Sequence, residues 1–190
     1  MKQLANANVE NSSGTPDARF QVLARWSFLM MQLFECRTFL DLAETTHYVH
    51  SKSTLVEILT QQALFRSFLL AYGKCFASSG KGRSSLDAKK VFSEQQDLLS
   101  VHTRIMDLRH KFAAHNDESG LDQAIVDVEE RQDKFVIAHR YAVANPLHEY
   151  EPFRKAVGVV EEYVVAQTNR AIDSLEKKLQ KPITVIGNEA

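Results

Sequence analysis

Apolar side chains recur at three- and four-residue intervals over most of the chain, and breaks in that rhythm divide it into helical stretches and one region of alternation. Phe20, Leu23, Trp26, Met30, Leu33, Phe34 and Leu40 run to about Thr45 with no Gly or Pro between them. Ahead of them, Thr15, Pro16 and Asp17 supply a capping side chain, a proline suited to the first turn and an acid at the positive end of the helix dipole. A second helix is predicted from Thr54, whose spacing to Glu57 makes a reciprocal capping box. It continues through Leu55, Ile58, Leu59, Ala63 and Leu69 to about Ala77. The small and charged residues from Ser78 to Ser85 have nothing periodic to pack and read as a loop. A third helix begins between Leu86 and Ser93, the latter forming a second box with Gln96. It carries Leu98, Val101, Ile105, Leu108 and Phe112 and frays near Asn116.

Alternation then replaces the helical period. Ala124, Val126 and Val128 share one face of a predicted strand, and Phe135, Ile137, His139, Tyr141 and Val143 share one face of another. The polar residues from Glu130 to Asp133 suit the loop of a hairpin. Pro146 ends the second strand and Pro152 opens a last helix, on which Phe153, Val157, Val160, Val164, Ala171, Leu175 and Leu179 repeat until Pro182. The reading is a mainly α protein: a bundle of about four long helices with a small β-hairpin inserted before the last. The domain runs over 15–182, between a loose tail at 1–14 and a short tail at 183–190.

Composition narrows the function classes. The chain has 190 residues, enough for one core without disulfides or metals. Its 23 Lys and Arg against 24 Asp and Glu leave no global basic field to recruit nucleic acid, so any such contact must be local. The clearest local excess of positive charge is Arg66, Lys74, Lys81, Arg83, Lys89 and Lys90, set against Asp87 alone. Cys36 and Cys75 lack the CxxC spacing of a zinc ribbon or a thioredoxin-type site and read as buried reduced thiols. The most apolar stretch, Trp26 to Phe34, is far short of the roughly 20 residues of a membrane span. With no apolar signal core after Met1, the expectation is a cytoplasmic protein without a cofactor, a metal or a membrane partner. His47 and His50 have an H-x-x-H spacing but no nearby Cys or carboxylate pair, and read as a solvated turn.

Chemistry concentrates at the end of the third helix, where Leu108 to Asp117 hold a guanidinium, two imidazoles, an ammonium and a carboxylate. On an ideal α-helix the steps from Arg109 to His115 turn about 240° beyond a full revolution and rise about 9 Å. The two side chains converge only through the length of Arg109, an unwinding before His115, or groups supplied by two subunits. Lys111, four residues before His115, shares its face and disfavours the imidazolium, leaving the neutral ring that a general base requires. The plain alternative is a basic helix terminus meeting the negative end of its dipole. His102 stands two turns before Arg109 and reads as a surface residue.

This segment resembles the HEPN superfamily of nucleotide-binding and RNase domains, whose signature is Arg, four to six residues, then His, often with a polar residue directly after the Arg. Here it reads Arg109, His110 and, after five intervening residues, His115. The runs Ile105 to Lys111 and Ala114 to Asp117 are similar to the abortive-infection type. The resemblance in layout extends from Arg19 onward, with the specific residues confined to about ten positions. It implies a HEPN-like bundle acting as a metal-independent endoribonuclease at a homodimer interface. Arg109 would hold the scissile phosphate, His115 would move the proton at the 2′-oxygen or the leaving 5′-oxygen, and His110 would orient them. On charge alone, the local bases Arg66, Lys74, Lys81, Arg83, Lys89 and Lys90 could follow an RNA backbone or form a solvated face; Lys81 and Arg83, with Lys111, are the candidate RNA contacts. A toxin or phage-defence effector with an antitoxin or defence-system partner fits that family. In members paired with a nucleotidyltransferase a Tyr stands two residues after the motif His; here the position is Asp117, so regulation by its modification is not implied. The rival reading is a non-catalytic module that binds a nucleotide or a protein.

Overall fold

The computed structural model describes residues 18–46, 54–77, 85–114, 122–143 and 146–185, with the backbone alone at 18, 112–114, 122–123 and 141–143. These residues form a mainly helical protein with one antiparallel hairpin before the last long helix. α1 spans Gln21–Thr45 behind a 3-10 turn at Ala18–Phe20; the start signal expected at Thr15 to Asp17 lies outside the described residues. Leu29, Leu33, Cys36, Leu40 and Ala43 of α1 face inward at helical spacing. Met30 and Phe34, expected on the same stripe, stand one position off it and are exposed, Phe34 by 71%. Helix α1 has apolar side chains on more sides than its neighbours can cover.

α2 spans Leu55–Phe76 and opens with the expected box: Glu57 N–H donates to the Thr54 hydroxyl, and Thr54 N–H donates to the Glu57 carboxylate at 2.7 Å. Its aromatic side chains meet those of α5, which spans Tyr150–Leu179. Phe65 stacks on Tyr150 at 5.4 Å, and Phe68 on Phe153 at 5.9 Å. All four rings are almost wholly buried, so this stack is the centre of the core. Along the rim, Arg37 pairs with Glu161, and Arg154 reaches Asp41, Glu44 and Glu151. The partly exposed pairs to Arg37, Asp41 and Glu44 join α1 to α5, the pair to Glu151 stays within α5, and each adds little stability. Pro152 sits in the first turn of α5, two residues later than the helix start, and Gln180 at φ 55° ends it ahead of Pro182.

The third predicted helix is divided. The short α3, Ala88–Val91, is capped by Asp87, whose carboxylate accepts from Lys89 N–H at 3.0 Å; α4 then spans Gln96–Leu108. The expected box at Ser93 does not form. The Ser93 hydroxyl donates back to the Lys90 carbonyl and the Gln96 amide donates to the Phe92 carbonyl. Burial of Phe92 turns the chain before Ser93 reaches a capping position, so both side chains close the turn behind it.

β1, Asp122–Glu130, and β2, Phe135–Val143, pair antiparallel with Val126 opposite His139 and Val128 opposite Ile137, so the two predicted faces coincide. The loop is Arg131 to Lys134, one residue later than expected, because Glu130 still pairs with Phe135. Val126, Val128, Phe135 and Ile137 are each more than half exposed. On the other face Arg140 pairs with Asp127. Among the described residues no helix is long and apolar enough to cross a membrane.

Candidate functional site

The face that α4 turns toward α2 carries two polar side chains seven residues apart, His102 and Arg109, which an α-helical spacing places within about 20° of each other. His102 is buried, not on the surface as its sequence position suggested. Tyr72 of α2 lies 3.0 Å from its Nδ1, while Phe76 and Phe92 enclose the ring at centroid distances of 4.4 and 5.5 Å. Burial lowers the pKa of His102 below 6.5 and raises that of Tyr72 well above 10. The phenol therefore keeps its proton and the ring is neutral, so the two share a single hydrogen bond whose direction follows the ring tautomer.

One step along α2 and two turns along α4 the arrangement changes. α4 gives way at Arg109 to a π-helical segment, Arg109–Ala114, which packs on α2, and the Arg109 N–H is shared between the Ile105 and Met106 carbonyls. Isolated π turns inside α-helices are rare and recur at functional sites. The Arg109 side chain lies across Gly73, where a Cβ atom would stand 3.0 Å from Nε, 3.1 Å from Cγ and 3.2 Å from Cδ. Its Nε is buried without a hydrogen-bond partner, whereas the outer nitrogens are not among the buried orphaned atoms. Arg37, Arg104, Arg131, Arg140 and Arg154 each pair with a carboxylate. Among the described residues no carboxylate pairs with Arg109, although it is half-buried. A guanidinium half out of water with no counter-charge is a place for an anion from outside.

The remaining expected site residues surround this point unevenly. His110 is exposed and has an interaction of its own. Lys111 is exposed and pairs with Asp107, Nζ to Oδ1 at 3.1 Å; Asp107 also lies 3.9 Å from Arg104, which grips Glu149 through two hydrogen bonds of 2.9 Å. The Lys111 charge is thus shared with a carboxylate one turn back. The α-helical spacing expected from Lys111 toward His115 is replaced up to Ala114 by the wider π turn. His115, Lys81 and Arg83 lie outside the described residues, as do His47 and His50. Of the other bases in that positive stretch, Arg66 is on α2 seven residues before Gly73, on the same face, while Lys74, Lys89 and Lys90 are exposed.

Cys36 and Cys75, distant in sequence, are buried free thiols on α1 and α2; the Cys75 thiol donates to the Ala71 carbonyl at 3.7 Å, and burial raises the pKa of Cys36 well above 9.0. Among the described residues no cluster of His, Cys, Asp and Glu is arranged to hold a metal ion. Sequence reading missed Gly73; its signal was a glycine inside an otherwise unbroken helical pattern, a costly choice unless something must approach the backbone. Compared with family models, curated proteins and solved structures, the chain matches none.

Proposed function

We propose that the chain is a HEPN-type endoribonuclease, acting as a homodimer in a toxin or defence setting, with Arg109 as phosphate clamp and His115 as proton carrier. The observation that carries this reading is the half-buried guanidinium of Arg109, which no carboxylate among the described residues pairs with, at the start of a π turn. It is joined by the Arg109, His110, His115 motif and by the helical bundle with its hairpin. In the reaction, a base removes the proton of the ribose 2′-OH as that oxygen attacks phosphorus. The 5′-oxygen leaves with a proton from an acid, and a 2′,3′-cyclic phosphate remains. Arg109 offsets the charge gathering on the non-bridging oxygens by two parallel hydrogen bonds. His115 is the group with the right intrinsic acidity for either proton transfer, and His110 orients the pair.

The test is cleavage of RNA by the purified chain in excess chelator, with product ends mapped, against Arg109→Ala and His115→Ala. Loss of cleavage in both folded variants, with cyclic phosphate ends from the native chain, is the expected result. Cleavage that persists in both removes these residues from the reaction. A second reading, a non-catalytic interaction module, draws on a different observation, the uncovered apolar face of Val126, Val128, Phe135 and Ile137 on the hairpin. It expects Val128→Lys together with Ile137→Lys to weaken partner binding, and no cleavage for Arg109→Ala to abolish.

A further inference from the structure

Gly73 is inside α2, between Tyr72 and Lys74, with helix continuing on both sides. A glycine there is unfavourable relative to alanine, because it loses more backbone freedom on folding and adds no packing. The chain contains a matched case in Gly158 of α5, where an added Cβ meets nothing within 4 Å. At Gly73 the three nearest neighbours of such a Cβ all belong to one side chain, Arg109, at 3.0–3.2 Å. Those atoms are the stem and the inner nitrogen of the guanidinium, so they are not a flexible tip that swings aside. Any displacement of Cδ and Nε carries the whole planar group with it.

We propose that Gly73 is the positioning residue for Arg109: its bare backbone is the floor on which the arginine stem rests, and this sets the direction of the outer guanidinium nitrogens. The role in cleavage rests on the phosphate-clamp reading above; the contact itself does not. A methyl group at this position lifts the stem off α2 and moves the fork away from the phosphate oxygens it would meet in parallel. A bidentate contact depends on that alignment, and a misplacement of the order of 1 Å costs up to about a hundredfold in rate.

The experiment measures thermal stability and RNA cleavage for the native chain, Gly73→Ala, Arg109→Ala, the double variant and Gly158→Ala. Gly158→Ala is expected to raise Tm, as helix propensity alone dictates. Gly73→Ala is expected to lower Tm in the native background and to raise it in the Arg109→Ala background, where the obstructing side chain is gone. In cleavage, Gly73→Ala shifts the stem by a few tenths of an ångström and is expected to lower kcat by about threefold to tenfold with little change in KM. It should add nothing to the loss caused by Arg109→Ala. If Gly73→Ala does not fold, the double variant must fold.

Equal Tm shifts from Gly73→Ala in both backgrounds overturn the positioning contact, whatever the activity. Cleavage abolished by Arg109→Ala but untouched by Gly73→Ala overturns the role of Gly73 and leaves the clamp standing. Cleavage that survives Arg109→Ala overturns the clamp reading and with it the part in cleavage assigned to Gly73.

Discussion

Two polar contacts between α2 and α4 stand side by side and are resolved in opposite ways. At Tyr72 and His102 a phenol and an imidazole satisfy each other inside an aromatic cage, both held neutral by burial. At Gly73 and Arg109, the next residue on α2 and two turns on along α4, a permanent charge is drawn half out of water with no carboxylate beside it among the described residues. The first arrangement is closed and contributes specificity to the packing. The second is open: Nε is buried against Gly73, and the outer guanidinium nitrogens are left for a ligand. The same helix pair thus separates a structural polar contact from a candidate functional one by whether the contact is complete within the chain.

That contrast can be broken most sharply at Arg109. Arg109→Ala is expected to lower RNA cleavage by about 10²–10³-fold while leaving Tm nearly unchanged, since the loss falls on a ligand and not on a partner in the fold. Cleavage and thermal melting on one preparation separate the two effects. His102→Ala is expected to do the reverse: a destabilisation of about 2–4 kcal/mol in urea, from the cavity and the orphaned Tyr72 hydroxyl, with the activity of the folded fraction retained. Tyr72→Phe removes only the hydroxyl and is expected to cost about 1–2 kcal/mol, read from the same denaturation midpoint.

Acid titration sharpens the distinction further. Because burial lowers the His102 pKa below 6.5, the unfolded chain takes up a proton that the native chain refuses between 6.5 and that lower value. This contribution to stability is intact above pH 6.5 and is lost as pH falls through the window, by at most about 1.4 kcal/mol per pH unit. The advantage of the native chain over His102→Gln is therefore expected to shrink on acidification, as urea midpoints at several pH values will register. Arg104→Ala, which releases Glu149 at a partly exposed pair, is expected to cost less than about 1 kcal/mol and to leave cleavage unaltered.

Features with a local cause were legible in the sequence. The Thr54 box, the two hairpin faces and the stripe of α5 each follow from residues a few positions apart, and the structure reproduces them. The break between α3 and α4 was not legible, because two capping signals compete within a few residues and buried Phe92 decides between them. Phe34 and His102 were misplaced for one reason: which side of a helix is covered depends on a neighbour remote in sequence. At the site, the cluster of Arg109, His110 and Lys111 was readable as composition. The pairing of Lys111 with Asp107 lay within reach of an i, i+4 reading. The contact of Arg109 with Gly73 joins helices 36 residues apart, and only the oddity of a glycine inside a helix marked it beforehand.

The order in which the chain is synthesised gives the aromatic stack another consequence. Phe65 and Phe68 are made early, but their covers Tyr150 and Phe153 come more than eighty residues later, as does the Arg154 that ties α5 to Asp41 and Glu44. The α2 contacts of His102 and Arg109 need only chain already made when α4 ends, whereas the central rings stay wet until α5 emerges. A nascent chain stalled within the hairpin would hold the Arg109 seat beside an unfinished core, a sticky intermediate for chaperones to shield.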